Sequence, residues 1–264
     1  MTVRSVTVAA AGRSVDIEYA WVEAGPAHPV VVFLHEGLGS LSMWKDFPAR
    51  LCGALGMRGL VYSRPGYGQS TPRANGERWP VGFMHREASE VLPALLAALE
   101  VPQQSWLFGH SDGASIALLY AAAFTDAPAG VIALAPHLFV EDVSVRSIEA
   151  TRSAYLSTDL RARLARYHDD PDSAFFGWND IWLDPAFRAW NIEREMERVR
   201  CPVLAIQGED DEYGTMAQIA RLAHHVPQAR LVKLAQCGHS PHRDQPERVV
   251  DAAASFVRAS QVTS

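Results

Sequence analysis

Ser111 has the surroundings in this chain that point most clearly to chemistry. It lies between Gly109 and Gly113 in the stretch FGHSDGAS (108–115), just before a helix-like run. A sharp strand-to-helix turn needs small residues two positions before and two after its apex, because those positions crowd each other. Such a turn would expose the hydroxyl and direct the N-terminal amides of the helix toward the site. The alternative is a simple helix cap, for which serine is also favoured.

A serine hydroxyl is a weak nucleophile unless a base takes its proton. His239, in the stretch CGHSPHRDQP, follows the last predicted strand and is the histidine best placed for this task. His242 is closer to the next helix, where we expect it to cap that helix or to lie at the surface. A carboxylate that orients the base is available from Asp210 or Asp211, in the stretch QGEDDEYG.

The elements that would position these residues alternate along the chain. Two alternating stretches, 2–9 and 14–23, predict an antiparallel hairpin with its turn at 11–13. Continuous apolar runs predict strands buried on both faces at 29–35, 58–63, 105–110, 130–136, 202–208 and 229–235. Helix-like segments occur at 43–55, 84–99, 112–124, 214–226 and 245–259. This alternation predicts an α/β fold, with a mostly parallel eight-stranded sheet and helices on both faces.

In such a sheet, ligands bind at the carboxyl ends of the strands, where Ser111 and His239 both fall. The stretch HEGLGS (35–40) follows the first buried strand. A glycine-containing turn there can direct a backbone N–H at a developing oxyanion, and the second donor would be the N–H of Asp112.

Five motifs make the chain similar to serine hydrolases of the α/β-hydrolase fold, of the capped, esterase-like kind. They are HEGLGS with Trp44 downstream, SRPGYGQS (63–70), GHSDG, GEDD and GHSPHRDQP, and they occur in the family's order over about residues 30–258. The resemblance implies a Ser-Asp-His triad, and it maps the acid onto Asp211 rather than Asp210.

The same resemblance maps the first oxyanion donor onto Gly37. This chain differs from the family at the same turn, because the family commonly has His-Gly there and this chain has His35-Glu36-Gly37.

About sixty residues between Pro136 and Cys201 contain no strand-like run and have much helical character. They predict a helical cap at 137–195, inserted into a hydrolase core made of 1–136 and 196–264. This cap is rich in aromatic residues: Phe139, Tyr155, Tyr167, Phe175, Phe176, Trp178, Trp182, Phe187 and Trp190. Several would form its own core, and the excess indicates an apolar pocket wall. The candidate pocket residues are His35, Glu36, His110, His137, Trp178 and Trp182.

Composition excludes several classes of function. The net charge is −6 and no Lys/Arg stripe is present, so we expect no nucleic-acid partner. No apolar run has the length needed to cross a bilayer, and the first twenty residues do not read as a signal peptide. The three cysteines, Cys52, Cys201 and Cys237, are scattered, which is typical of a cytoplasmic protein. No pair of cysteines has the spacing of a zinc site, so we expect no metal. The hydrolytic chemistry outlined above needs no cofactor, and the sequence leaves open whether the chain forms a homodimer.

These observations predict a hydrolase that cleaves a carboxylic ester of a small, largely apolar substrate through an acyl-enzyme. The same machinery could cleave a carbon–carbon bond, a lactone or a thioester, and a slow-turnover ligand receptor is the alternative of another class. If Glu36 and Asp112 both face the pocket, a cationic substrate is favoured. If Asp112 serves only the helix start and Glu36 points to a loop, selectivity follows apolar shape.

Overall fold

Eight strands form one sheet, with helices on both faces. The computed structural model describes residues 2–10, 12–25 and 29–262, so position 11 of the predicted turn and the outermost ends of the predicted core, residues 1 and 263–264, lie outside the described residues. The strands are β1 Arg4–Ala10, β2 Arg13–Val22, β3 Val30–Leu34, β4 Arg58–Tyr62, β5 Ser105–His110, β6 Pro128–Leu134, β7 Val203–Gly208 and β8 Arg230–Leu234.

The order of strands across the sheet is β1-β2-β4-β3-β5-β6-β7-β8. The pairs β1–β2 and β2–β4 are antiparallel, and every other neighbouring pair is parallel. All residues of β3, β5 and β7 are buried, as expected of strands covered on both faces. The prediction of a mostly parallel eight-stranded sheet with an N-terminal hairpin is therefore confirmed.

Eleven α-helices are described. They are α1 Phe47–Leu55, α2 Phe83–Arg86, α3 Leu92–Ala98, α4 Asp112–Ala123, α5 Asp142–Ser157, α6 Leu160–Leu164, α7 Pro171–Trp182, α8 Glu193–Met196, α9 Ala217–His225, α10 Pro241–Asp244 and α11 Pro246–Val262. The single helix predicted at 84–99 is wrong, because a π-helical turn at Glu87–Val91 separates α2 from α3. Pro93 has no N–H to donate to the carbonyl of Ser89, so the α-helical ladder cannot pass through this point unbroken.

Helices α5 to α8 all lie between β6 and β7, and we call residues 135–202 the helical segment. Part of its aromatic content forms an interior of its own. The rings of Tyr155 and Phe175 stack with centroids 3.7 Å apart, and those of Trp182 and Phe187 meet edge to face at 5.1 Å. That this segment acts as a cap, with boundaries at 137–195, stays a prediction.

The cysteines are buried thiols without disulfide partners in the described chain. Burial raises the pKa of Cys237 to about 11, so this thiol stays protonated near neutral pH and is a poor nucleophile. None of the helices described is both long and apolar enough to span a membrane.

Candidate active site

The turn from β5 to α4 has Ser111 at its apex. The serine has φ +53° and ψ −121°, a left-handed conformation that costs a residue other than glycine about 1–3 kcal/mol. A Cβ on Gly109 would overlap the carbonyl of Gly113, and a Cβ on Gly113 would overlap the carbonyl of Leu34 at the end of β3. Both glycines are therefore required by close approach of backbone to backbone.

A continuous chain of hydrogen bonds runs from Ser111 to Asp211. The Ser111 Oγ lies 2.9 Å from His239 Nε2, and His239 Nδ1 lies 2.8 Å from Asp211 Oδ1. An ionised carboxylate only accepts hydrogen bonds, so the proton of the neutral ring is on Nδ1, and Nε2 accepts from the serine hydroxyl. The structure thus brings together three residues that the sequence analysis selected from distant motifs.

Asp211 is held in its orientation by the loop that follows β7. Its Oδ1 accepts a hydrogen bond of 2.8 Å from the backbone N–H of Tyr213, and its Oδ2 accepts one of 3.2 Å from Gln207 Nε2. Burial raises the pKa of Asp211, but the hydrogen bond and charge of His239, together with the Tyr213 N–H, outweigh it and lower that pKa below its usual value. The carboxylate is therefore ionised near neutral pH. Asp210 is exposed instead.

The backbone amides of Gly37 and Asp112 have no hydrogen-bond acceptor among the described residues. Asp112 is the first residue of α4, where the N–H groups have no partner within the helix. A Cβ on Gly37 would overlap the indole of Trp178, so the absence of a side chain lets α7 pack directly on this turn. Gly37 also lines the cavity beside Ser111, whereas Asp112 is fully buried.

Arg64 is a fully buried guanidinium that joins the two turns, and sequence reasoning missed it. Its Nη2 donates a 3.0 Å hydrogen bond to the Glu36 carbonyl and lies 3.9 Å from Asp112 Oδ2. Arg64 is the second residue of the SRPGYGQS motif, but the motif does not indicate which side chains Arg64 contacts.

His35 does not line the cavity, contrary to its prediction as a pocket residue. Its Nε2 accepts a 2.9 Å hydrogen bond from the backbone N–H of Arg64, and its Nδ1 lies 2.7 Å from the Glu36 carbonyl. Burial, and then the charge of Arg64, lower the pKa of His35 well below its ordinary value. Both ring nitrogens of this neutral histidine therefore serve the backbone.

Asp112 points into the interior rather than into the cavity. Its side chain is fully buried, and Oδ1 accepts a 3.2 Å hydrogen bond from the indole N–H of Trp182. Burial raises the pKa of Asp112 to about 6, against the opposing effects of Arg64 and Trp182. The carboxylate therefore balances a buried guanidinium, a role that differs from both of those expected.

A cavity of about 230 Å³ opens beside Ser111. Five of the predicted pocket residues line it: Glu36, His110, His137, Trp178 and Trp182. Ten lining residues were not predicted: Leu38, Met43, Ser144, Ile148, Leu160, Arg163, Leu164, Tyr213, Ser240 and Arg243. They come from separate turns and helices, so no local pattern marks them. Most of the wall is apolar, as is typical of small-molecule sites.

The histidines around this cavity differ in their environment. Burial, followed by the charge of His239, lowers the pKa of His137 to about 3, so that ring is neutral. His242 is buried against Trp44 and Phe47, with ring centroids 4.9 and 5.5 Å away. The prediction that His242 caps a helix or lies at the surface is wrong, because the two aromatic rings enclose it.

Within the described ranges, no group of three or more His, Cys, Asp or Glu side chains is arranged to hold a metal ion.

Comparison with known proteins gives a family and several relatives. The model of the alpha/beta hydrolase family matches residues 31–252. A 2-succinyl-6-hydroxy-2,4-cyclohexadiene-1-carboxylate synthase from Enterobacter sp. (strain 638) is 26% identical, over 88% of this chain and 93% of its own length. A pimeloyl-[acyl-carrier protein] methyl ester esterase from Aromatoleum aromaticum is 30% identical over 105 residues, so this match spans only 40% of the esterase's length and 40% of this chain.

Among solved structures, a proline iminopeptidase from Mycobacterium smegmatis superposes with a TM-score of 0.76. The superposition covers 98% of this chain and 99% of the other, at 17% sequence identity. At that identity, the likeness concerns the fold.

Proposed function

The chain belongs to the alpha/beta hydrolase family, and from this premise we propose that it is a serine hydrolase that cleaves a carboxylic ester of a small, largely apolar substrate. The observation that carries the proposal is the hydrogen-bond chain from Ser111 through His239 to Asp211 beside a cavity. The relative that is named a methyl ester esterase supports an ester as the bond attacked.

The proposed reaction begins when the Ser111 hydroxyl attacks the ester carbonyl carbon. His239 Nε2, which accepts the hydrogen bond of that hydroxyl, takes its proton. Asp211 is ionised and faces Nδ1, so it keeps the ring in the required tautomer and stabilises the imidazolium that forms.

The tetrahedral intermediate places a negative charge on the former carbonyl oxygen. The amides of Gly37 and Asp112 would bind it, and one such donor is worth about 100–1,000-fold in rate. His239 then gives its proton to the leaving alcohol, and water resolves the acyl-enzyme by the reverse path. No step in this sequence calls on a cofactor.

The cavity and the helical segment set the proposed substrate class. Trp178 and Trp182 are four residues apart on α7, so they share a face, and both line the cavity. We therefore propose that residues 137–195 act as a cap over the site. A volume of about 230 Å³ is below the roughly 300–1,000 Å³ of sites for drug-sized ligands, which favours a small acyl or alkoxy group.

A fluorophosphonate probe tests the proposed nucleophile. It should label Ser111 in the wild type, and Ser111→Ala should lose labelling and ester hydrolysis by several orders of magnitude while keeping its thermal unfolding transition. Ser153→Ala is the matched control, because the hydroxyl of this exposed serine donates to the Glu149 carbonyl of its own helix, far from the site in sequence. An adduct on any other residue would exclude Ser111 as the nucleophile.

A second candidate reaction is supported by the relative that matches most of the chain. That protein is named a synthase rather than an esterase, so the same three residues could serve a reaction other than ester hydrolysis. Product analysis separates the two candidates. Ester hydrolysis releases an acid and an alcohol in equal amounts, and it proceeds through an acyl group on Ser111 that mass spectrometry detects.

A further inference from the structure

Glu36 is the residue at which this chain departs from the family's His-Gly turn, and the reaction proposed above leaves it without a role. Its carboxylate lies between the oxyanion turn and the segment that carries the base. Resting on the proposed function, we propose that Glu36 is a positioning residue that, through His110, holds the His239 loop against the oxyanion turn.

The two oxygens of the Glu36 carboxylate contact two different elements. Oε1 accepts a 2.9 Å hydrogen bond from Arg243 Nη2, on α10. Oε2 lies 3.5 Å from His110 Nδ1, at the end of β5, an ion-pair distance at which that nitrogen makes no hydrogen bond to the described residues. The Glu36 side chain is 15% exposed and that of His110 only 1% exposed. The carboxylate therefore clamps two parts of the site from a largely buried position.

His110 passes this contact on to the proposed base. Its Nε2 lies 2.7 Å from the carbonyl oxygen of His239. A carbonyl only accepts, so Nε2 carries a proton and donates it to this bond. Nδ1 faces the Glu36 carboxylate as a donor only when the ring carries a proton on both nitrogens. The two rings also pack, with centroids 5.1 Å apart. The backbone of the base is thus held through one histidine by a carboxylate next to Gly37.

The backbone of Glu36 is itself held in place. Its carbonyl accepts hydrogen bonds from Arg64 and His35, so the side chain projects from a fixed turn. A Cβ on Gly39 would overlap Glu36 Oε2, which means that the glycine at this position makes room for the carboxylate.

The charges around Glu36 keep it ionised. Burial raises the pKa of Glu36, but the close contact and charge of His110, followed by the charges of Arg243 and His242, lower it well below its ordinary value. The charge of Glu36 in turn raises the pKa of the neighbouring acid Asp112. An ionised carboxylate makes stronger hydrogen bonds than a neutral one, which suits a clamp on a catalytic loop.

The consequence lies in the position of the base. Displacement of a catalytic group by about 1 Å can cost on the order of 100-fold in rate. Glu36 and His110 also line the cavity, so KM is measured beside kcat, and displacement of the base accounts for the part of the loss that appears in kcat.

Glu36→Gln, His110→Phe and their double variant test the proposal on a neutral p-nitrophenyl ester. Each enzyme is first titrated with the fluorophosphonate, so that rates refer to Ser111-competent protein. We expect each single variant to lose on the order of 10–100-fold in kcat, with a smaller change in KM. The double variant should lose less than the product of the two single losses, because both residues share the contact between Glu36 and His110.

A matched control separates positioning from the general loss of an ion pair. Glu23→Gln breaks a surface pair of similar length with Arg58, 2.7 Å. It should keep kcat within about twofold of wild type, since surface changes away from special contacts have small effects.

The outcomes are distinct. If Glu36→Gln and His110→Phe fold and keep kcat within about twofold, or if their losses multiply in the double variant, the proposal is overturned. Should Glu36→Gln fail to fold, Arg243→Gln removes one of the two contacts at an exposed position, and it must lower kcat. Failure of the probe to label wild-type Ser111 would instead refute the proposed function itself.

Discussion

The indole N–H of Trp182 donates a 3.2 Å hydrogen bond to Oδ1 of Asp112, the residue that follows the proposed nucleophile. The bond joins α7 of the helical segment to the first turn of α4. Burial raises the pKa of Asp112 to about 6. The bond from Trp182 stabilises the ionised form and keeps this rise smaller than burial alone would make it. The helical segment and the core are thus coupled through a titratable group.

Trp182→Phe should destabilise the protein in a pH-dependent way. Loss of the bond raises the folded-state pKa of Asp112 further. The additional decrease in the free energy of unfolding is therefore present above about pH 6, where wild-type Asp112 is ionised, and it disappears below that pH. A hydrogen bond to a charged group is worth about 1.5–3 kcal/mol. The measurement is the free energy of unfolding of both proteins in denaturant at about pH 8 and about pH 5.

Trp190→Phe is the control for that experiment. Trp190 is also buried, but its indole N–H has no partner in the described residues, so its cost should not change with pH. An equal difference from wild type at both pH values for Trp182→Phe would contradict the role of its bond to Asp112.

Asp211→Asn should lower kcat by about 1,000–10,000-fold. The amide can no longer hold the proton on His239 Nδ1, so the ring takes the wrong tautomer more often. Asp210→Asn is matched in chemistry but changes an exposed side chain, and it should stay within about twofold of wild type. Steady-state kinetics on one ester decides between them, and the reverse order of effects would show that Asp210 is the acid.

Gly113→Ala should destabilise the fold by at least about 1–3 kcal/mol, the usual cost of overpacking, because the new Cβ overlaps the backbone of Leu34. Gly53→Ala is the opposite case, since that glycine is in α1 with open space around its Cβ position. It should stabilise the protein by about 0.5–1 kcal/mol. Thermal unfolding of the two variants measures both effects, and a Gly113→Ala protein as stable as wild type would show that the turn is not crowded.

Wild type should not favour an ammonium-bearing ester over a matched neutral ester. Glu36 is already paired with Arg243 and His110, and Asp112 faces Arg64. The measurement is kcat/KM for neutral, ammonium-bearing and carboxylate-bearing esters in wild type and in Asp112→Asn. A preference for the ammonium ester above about tenfold, roughly 1.4 kcal/mol, that the substitution removes would restore the cationic-substrate hypothesis.

Much of the fold and part of the candidate site could be predicted from the sequence, because they depend on local signals. Apolar runs and helical periods are properties of short segments, and they determined the sheet and most of the helices. The glycines around Ser111 follow from the steric demands of one turn. The three proposed catalytic residues each lie in the turn or loop that follows the carboxyl end of a parallel strand, so the topology itself brings them to one edge of the sheet.

The remaining features were decided by tertiary structure alone. The contact between Glu36 and Arg243 joins residues 207 positions apart, and the burial of His35 depends on a backbone amide 29 positions away. No local pattern encodes such pairs, since each side chain could equally face solvent. Whether a polar group becomes a clamp, a counter-ion or a cavity wall depends on which partners burial leaves within hydrogen-bond reach, and only the packed chain determines those partners.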